Sequence, residues 1–342
     1  MISSEPYSQN NRPSLYFRAL SGHRANYVRI LGCYFDHILE DRNLSVLNRL
    51  DKLIRPSRLV FGMVDDGYLQ FFLVSMLRLF LFKDTAGFFV RPQTCFNNTV
   101  ISKVKFFMFW LLCKIPKIHI YSLMPHNLYP ELEYVCNDFI YDPELWHLHG
   151  KSDISIADQD FSLPDLNSGE GPTILLCGSI ATHKGIKDLR EILCNGHLLD
   201  IGYRVIIAGK TPEHEPSKII RCELESLGCI SIDRYISDSE LDYLYEIADY
   251  IWCSYDHQYD QASGIFGTAI QKGKMPIVRA GSLISRFAAC FSIPTVELSV
   301  GNPQEDIQRI LQGEPAVGGG LSKLVIDQWR LDFESKLEVH PH

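Results

Sequence analysis

The chain has ten cysteines but no C-x-x-C pair, which argues against a zinc ribbon or a dithiol redox site. Several of the ten sit inside apolar runs, Cys113 in WLLCKI, Cys177 in ILLCGS and Cys253 in YIWCSY. Single thiols in such runs are small core residues of a reducing compartment, not a disulfide framework. Positive charge is not in excess either. The net charge is -8, which argues against a dedicated nucleic-acid binder. The longest apolar run, Tyr68–Phe82, carries Gln70 and Arg78 and is too short and too polar to cross a bilayer. The opening residues MISSEPYSQNNRPS have no apolar secretion core, so the expected location is the cytoplasm. The P-loop order, a D-x-D after a strand, internal repeats and low-complexity tracts are also missing.

What is present is globular. The 342 residues are 46% hydrophobic and 22% charged, with 23 Gly and 17 Pro. That composition excludes a disordered chain, a collagen and a coiled-coil rod, and the length suits two domains. Residues 1–150 hold 16 Lys and Arg against 13 Asp and Glu, and residues 151–342 hold 17 against 28. A basic half followed by an acidic half points to domains facing different partners.

In the second half, short β-branched runs alternate with amphipathic stretches. TILLC (173–177), YRVIIA (203–208), ISIDRYI (230–236), YIWC (250–253), MPIV (275–278) and TVEL (295–298) read as strands. Helices are expected at 186–193, 217–227 and 239–248, and a closing one at 322–337. The first half offers strands at 15–20, 58–64, 87–91, 118–123 and 138–141, and helices at 27–39, 68–82 and 100–112. The polar segment 158–171 reads as a linker and 316–321 as a break. This alternation predicts βαβ units. The expected fold is α/β, two Rossmann-like parallel-sheet domains facing a cleft. Their spans are 1–157 and 172–320, with a closing helix and tail at 321–342.

Open parallel sheets bind ligands beyond the C-terminal ends of their strands, so the residues after each strand carry the functional reading. TILLC is followed by Gly178, Ser179 and then Lys184-Gly185 before a helix. A glycine admits close backbone approach, and a lysine at a helix start adds positive charge for a phosphate. YRVIIA ends at Gly209. YIWC leads through Asp260 and Gln261 to Ser263, Gly264 and Thr268, a helix opening on small residues with free N–H groups. Asp260 and Gln261 suit sugar hydroxyls. A plain turn and a tightly packed helix would explain the same residues.

Taken in order, ILLCGSIATHKGIKDL, YRVIIAGKTPEH, YISDSELDYLYEIADYIWCSYD and SGIFGTAIQKGKMPIV resemble the nucleotide-binding half of GT-B glycosyltransferases. The resemblance is to the large group of hexosyltransferases that build bacterial polysaccharides (glycosyltransferase group 1, or family 4-like). It covers about 173–298, and the first half matches in outline. It implies a nucleoside diphosphate sugar held by Gly178, Ser179, Lys184, Gly209, Asp260, Gln261, Ser263, Gly264 and Thr268, with no metal and no cofactor. The chain departs from the family pattern at Ser179, where Arg is usual, and at Gln261 and Ala269, where acids are usual. Asp260 stands one position from the first acid.

In the first half, the expected acceptor side, SLYFRAL ends at Gly22, His23 and Arg24, and RLVFGMV at Asp65 and Asp66. Asp65, Asp66 and His23 are the candidate general bases for an acceptor hydroxyl. Asp65 stands ahead of Asp66, which is better placed to cap the following helix. Gly22, Arg24, Arg91 and His126 are the acceptor-binding candidates. The implied reaction is hexosyl transfer from a nucleotide sugar to a glycan or lipid-linked acceptor in polysaccharide biosynthesis. A non-catalytic binding domain and a nucleotide-sugar epimerase of the same fold are the alternatives. The run Val104–Ile115 is rimmed by Lys103, Lys105, Lys114 and Lys117. It reads either as core helix or as a peripheral contact with the inner face of a membrane.

Overall fold

Uninterrupted apolar runs become interior strands, because a parallel strand covered on both faces needs apolar residues in succession. The computed structural model describes residues 13–19, 23–40, 46–147, 163, 166, 171–196, 198–213, 216–299, 301–313 and 322–339. The predicted linker and the break at 316–321 lie almost wholly outside these. The chain divides into two compact units, Met1–His147 with Ile326–His342, and Leu148–Val325.

The first unit has strands β1 (Ser14–Phe17), β2 (His37–Glu40), β3 (Arg58–Phe61), β4 (Asp84–Phe89), β5 (Ile118–Ser122) and β6 (Asp138–Phe139), with helices α1 (His23–Leu31), α2 (Val46–Ile54), α3 (Tyr68–Phe80), α4 (Val100–Leu112) and α5 (Pro143–Trp146). Its sheet is parallel in the order β2-β1-β3-β4-β5-β6. The expected helix 27–39 ends early. Gly32–Tyr34 tightens into a 3-10 turn, and His37–Glu40 pairs with β1 as a half-exposed edge strand.

The second unit has β7 (Thr173–Cys177), β8 (Arg204–Ala208), β9 (Ile230–Ile232), β10 (Tyr250–Cys253), β11 (Met275–Arg279) and β12 (Val296–Leu298), with α6 (Ile186–Asn195), α7 (Ser217–Ser226), α8 (Asp238–Ile247), α9 (Gly264–Gln271), α10 (Leu283–Cys290) and α11 (Pro303–Gln312). The order β12-β11-β10-β7-β8-β9 is again all parallel. Asp249 accepts the Thr173 amide at 2.8 Å, tying the start of β7 to the residue before β10.

The last helix, α12 (Lys323–Leu337), belongs with the first unit from Ile326 onward. Phe333 meets the rings of Tyr34 and Trp146 at 5.4 and 5.0 Å, and Trp329 stacks on Tyr141 at 4.8 Å. Arg58 donates to the Leu337 carbonyl at 2.9 Å.

In each unit an arginine buried to 1% exposure or less pins loops to the sheet. Arg78 of α3 donates to Thr85 Oγ1 and to the carbonyls of Leu53, Ile54, Pro56, Ser57 and Asp84. Arg221 of α7 donates to Ser231 Oγ, Thr211 Oγ1 and the carbonyls of Gly209 and Ile207. Burial of a charge is tolerable here because several of the guanidinium's donors are used.

Candidate functional site

In the second unit the chain runs outward from β7 to β8 and β9, then returns to the other side of β7 for β10. The reversal leaves a crevice beyond the C-terminal ends of β7 and β10, the place where open α/β sheets take ligands. Cys177 ends β7, and Gly178 and Ser179 lie exposed just past it. Gly178 has φ 93° and Gly185 φ 74°, conformations that favour glycine. A Cβ on Gly185 would run into the Ser254 carbonyl, and one on Gly209 into the Gly178 carbonyl. These glycines are set by backbone packed against backbone.

Lys184 lies between them and is buried. Its ammonium sits 4.4 Å from the ring centre of Tyr255 and 4.8 Å from that of Tyr259, a cation held on two aromatic faces. The Tyr255 hydroxyl pairs with Ser263 Oγ at 2.8 Å. Ser263 caps α9 by accepting the Phe266 amide, so one tyrosine joins the lysine to the positive end of that helix. Gly264 opens α9, and Thr268 is half-buried one turn further on. Asp256 N–H donates to the His183 carbonyl at 3.0 Å, and the His183 ring lies 4.2 Å from Tyr259. Two buried polar atoms at the end of β10, Trp252 Nε1 and Ser254 Oγ, have no hydrogen-bond partner among the described residues.

Asp260 is committed elsewhere in part. Its Oδ1 accepts the Leu283 amide at the start of α10 at 2.7 Å and lies 3.5 Å from Arg279 Nη2. Arg279 in turn donates to the Tyr255 carbonyl at 2.9 Å. Gln261 is buried on the same loop. The structure thus brings Gly178, Lys184, Ser263 and Gly264 to one strand-end region, with Gly209 against Gly178. Sequence reasoning missed Tyr255 and Tyr259. Neither carries a signal in the sequence, because the lysine they hold comes from a distant loop.

The first unit has its own reversal, between β1 and β3. Gly22 lies outside the described residues, as do the side chains of His23, Arg24 and Asp66. Asp65 is described, and its expected freedom is not met. Its side chain is 4% exposed, and its two oxygens accept the amides of Val90 and Arg91 at 2.8 and 2.9 Å. Burial pushes its carboxyl above the usual range, against the opposing pull of Arg91 and those amides. The Arg91 side chain is half-exposed, 3.8 Å from Asp65. His126 sits in a 3-10 turn after β5, its Nε2 buried with no hydrogen-bond partner among the described residues and its pKa pushed down, mainly by burial. Beyond β6, Asp142 accepts the Tyr27 hydroxyl at 2.8 Å, and Glu144 accepts from Asn26 at 3.0 Å. Two buried acids thereby tie α1 to α5. Burial, then the charge of Glu144, raises Asp142 to about 7.

Two six-stranded parallel sheets, each reversing at its first strand, define the fold class of the GT-B glycosyltransferases, and solved structures of that class match nearly the whole chain. Trehalose-6-phosphate synthase from E. coli, bound with UDP-2-fluoro glucose, matches at TM-score 0.59 and 10% identity over 97% of this chain and 100% of that one. Sucrose-phosphate synthase from Thermosynechococcus elongatus matches at 0.57 and 11% over 95% and 96%. WaaG, a glycosyltransferase involved in lipopolysaccharide biosynthesis, matches at 0.54 and 13% over 95% and 94%. At such identities the likeness establishes the fold. No protein-family model and no curated protein matches the sequence.

Proposed function

We propose that the protein transfers a hexose from a nucleoside diphosphate sugar to a hydroxyl of a glycan or lipid-linked acceptor. The observation that carries this is Lys184, held on Tyr255 and Tyr259 between the glycine turn after β7 and the N-terminus of α9. A buried cation, a helix N-terminus and closely approached backbone suit a diphosphate leaving group. The unpartnered Trp252 Nε1 and Ser254 Oγ support a polar ligand nearby, since buried polar atoms otherwise find partners. The resemblance to structures of UDP-sugar enzymes supports a nucleotide sugar as donor. In this reading Lys184 and α9 meet the diphosphate charge without a metal ion, and Gln261 with Asp260 faces the sugar or ribose. With both Asp65 oxygens on backbone amides, the base is Asp66 or His23, and Arg91 and His126 serve the acceptor.

The test is calorimetry of the full chain with UDP, GDP, ADP and CMP. One of them should bind, and Lys184→Met should weaken it at least tenfold while leaving the melting temperature of the free protein within a few degrees. Equal binding by both proteins would remove Lys184 from the site. A second reading, a non-catalytic nucleotide-binding domain, is favoured by Ser179, Gln261 and Ala269 at the departures from the family pattern and by the engagement of Asp260 with α10. Turnover of the bound nucleotide's sugar with an acceptor separates transferase from binder. Conversion without an acceptor identifies an epimerase or hydrolase.

A further inference from the structure

Helices α3 and α4 connect β3 to β4 and β4 to β5, two crossovers stepping the same way across the sheet. Parallel crossovers are right-handed, so both helices lie on one face, side by side. Phe71 lies 6.1 Å from Phe109, and Lys105 sits 4.8 Å over the Tyr68 ring, consistent with that placement. Each helix buries one side, with Phe71, Val74 and Arg78 on α3 and Met108, Phe109 and Leu112 on α4. Each also leaves an apolar line in water. On α3 the line runs through Leu73 (65% exposed), Leu77 and Phe80 (75%), and on α4 through Val104, Phe107 (60%) and Trp110. The spacings of three and four keep each line on one helix face. Single exposed leucines are ordinary, but two adjacent apolar lines form a contiguous patch of the kind that marks a contact surface.

Every charged residue within α3 and α4 is basic, and the exposed acids Glu131 and Glu133 stand beside α4 on the 3-10 turn whose Tyr134 meets Phe106. From Gly67 to Pro130 the sole acidic residue is Asp84, and Lys117 pairs with it at 3.3 Å. Lys103 and Lys114 are exposed on or just beyond α4, Lys114 lying 5.8 Å from the Trp110 ring. Among the described residues no helix is long and apolar enough to cross a membrane. We propose that the α3–α4 face rests on an anionic lipid surface, with Phe80, Phe107 and Trp110 in the headgroup–acyl boundary and the lysines among the headgroups. A second copy of the chain meeting this face across a two-fold axis would instead bring lysine against lysine. The proposal stands independently of the glycosyl-transfer reading, because it rests on this surface alone.

The experiment is co-sedimentation of the full chain with phosphatidylcholine vesicles and with vesicles containing phosphatidylglycerol. A parallel measurement uses lipids brominated in the acyl chain. Trp110 is the exposed tryptophan among four, the others being at least 98% buried, so quenching reports this face. Binding should be at least tenfold tighter to the anionic vesicles and weaken with salt. Brominated chains should quench the fluorescence, and Trp110→Phe should abolish the quenching while keeping the binding. Lys103→Glu with Lys114→Glu should weaken binding at least tenfold, each lysine near an anionic surface contributing about fivefold. Leu73→Ser with Phe107→Ser should weaken it comparably without lowering the melting temperature. Absence of vesicle binding, equal binding to neutral and anionic vesicles, or no quenching would overturn the proposal. So would a dimer in light scattering that Phe107→Ser converts to monomer.

Discussion

The two units solve the same topological problem with different chemistry. In the second, the strand ends beside the reversal carry glycines packed backbone to backbone and a buried cation on two tyrosines. In the first, the position after β3 beside the reversal carries an acid turned inward, and so does the segment beyond the edge strand β6. Asp65 holds the loop after β4, and Asp142 with Glu144 holds α1. A strand end shaped by glycine and lysine can admit an anion. A strand end whose carboxylates are engaged with amides and hydroxyls makes a rigid frame and leaves the chemistry to neighbouring side chains. The difference teaches that an acid after a strand is a weaker functional sign than a glycine in the left-handed region, because the acid has many structural uses.

The largest effects should come from the two buried arginines, which test whether the units are independent. Arg78→Ala strands several buried carbonyls in the first unit, and Arg221→Ala does the same in the second. At about 1–3 kcal/mol per orphaned group, each should remove on the order of 5 kcal/mol, as much as a small domain possesses. Urea unfolding should show one transition lost in each variant and the other retained. If both transitions move together in either variant, the units are one cooperative body. Next come the glycines. Gly185→Ala combines a positive φ with a collision against the Ser254 carbonyl, and Gly62→Ala meets the buried Phe17 ring. Each should cost roughly 2–3 kcal/mol. Only Gly185→Ala should also abolish nucleotide binding in calorimetry, and the reverse pattern would place the nucleotide on the first unit.

The same contrast explains what could be read in advance. TILLC and YIWC are strands at the expected bounds because both faces of those strands are buried, so the apolar run is the strand. HILE at β2 reads in the sequence as the end of a helix because an edge strand has one neighbour and little burial, and its residues fit either period. The glycines and Lys184 were legible because a positive φ or a cation at a helix start restricts residue type. Tyr255 and Tyr259 were not, since a ring that supports a lysine looks in sequence like any core tyrosine. Asp65 looked free because the amides it accepts lie on a strand end 25 residues away.

Asp65→Asn sharpens the contrast between frame and chemistry. Asparagine offers one acceptor oxygen and turns an NH2 group toward one of the two amides that aspartate satisfies. The expected loss is roughly 1–2 kcal/mol in urea unfolding. Turnover per folded molecule should stay within about tenfold, less than the usual contribution of a general base. An unchanged stability with turnover reduced about a thousandfold would make Asp65 the base and reverse the contrast.

A pH-dependent effect is the titration of Asp142, and its sign separates a buried acid that strains the frame from one that braces it. Its carboxyl is raised from an ordinary 3.8 to about 7, by burial first and by Glu144 second. Between about pH 4 and pH 7 the folded chain therefore keeps a proton that the unfolded chain has released. Stability must then fall as pH rises through that window, because the folded state binds more protons. Below pH 4 both states hold the proton and the group is neutral to folding. Above pH 7 both have lost it and the penalty is complete. Asp142→Asn keeps an oxygen to accept the Tyr27 hydroxyl and the Glu144 amide, and it carries no charge at any pH. The variant should match wild type near pH 4 and become progressively more stable than it as the pH rises to 8. Urea unfolding at a series of pH values, compared between the two proteins, isolates this group from Asp188 of the second unit, itself raised to about 6 mainly by burial. A difference that stays flat with pH, or a variant less stable at pH 8, would show that the ionised Asp142 supports the α1–α5 contact instead of opposing it.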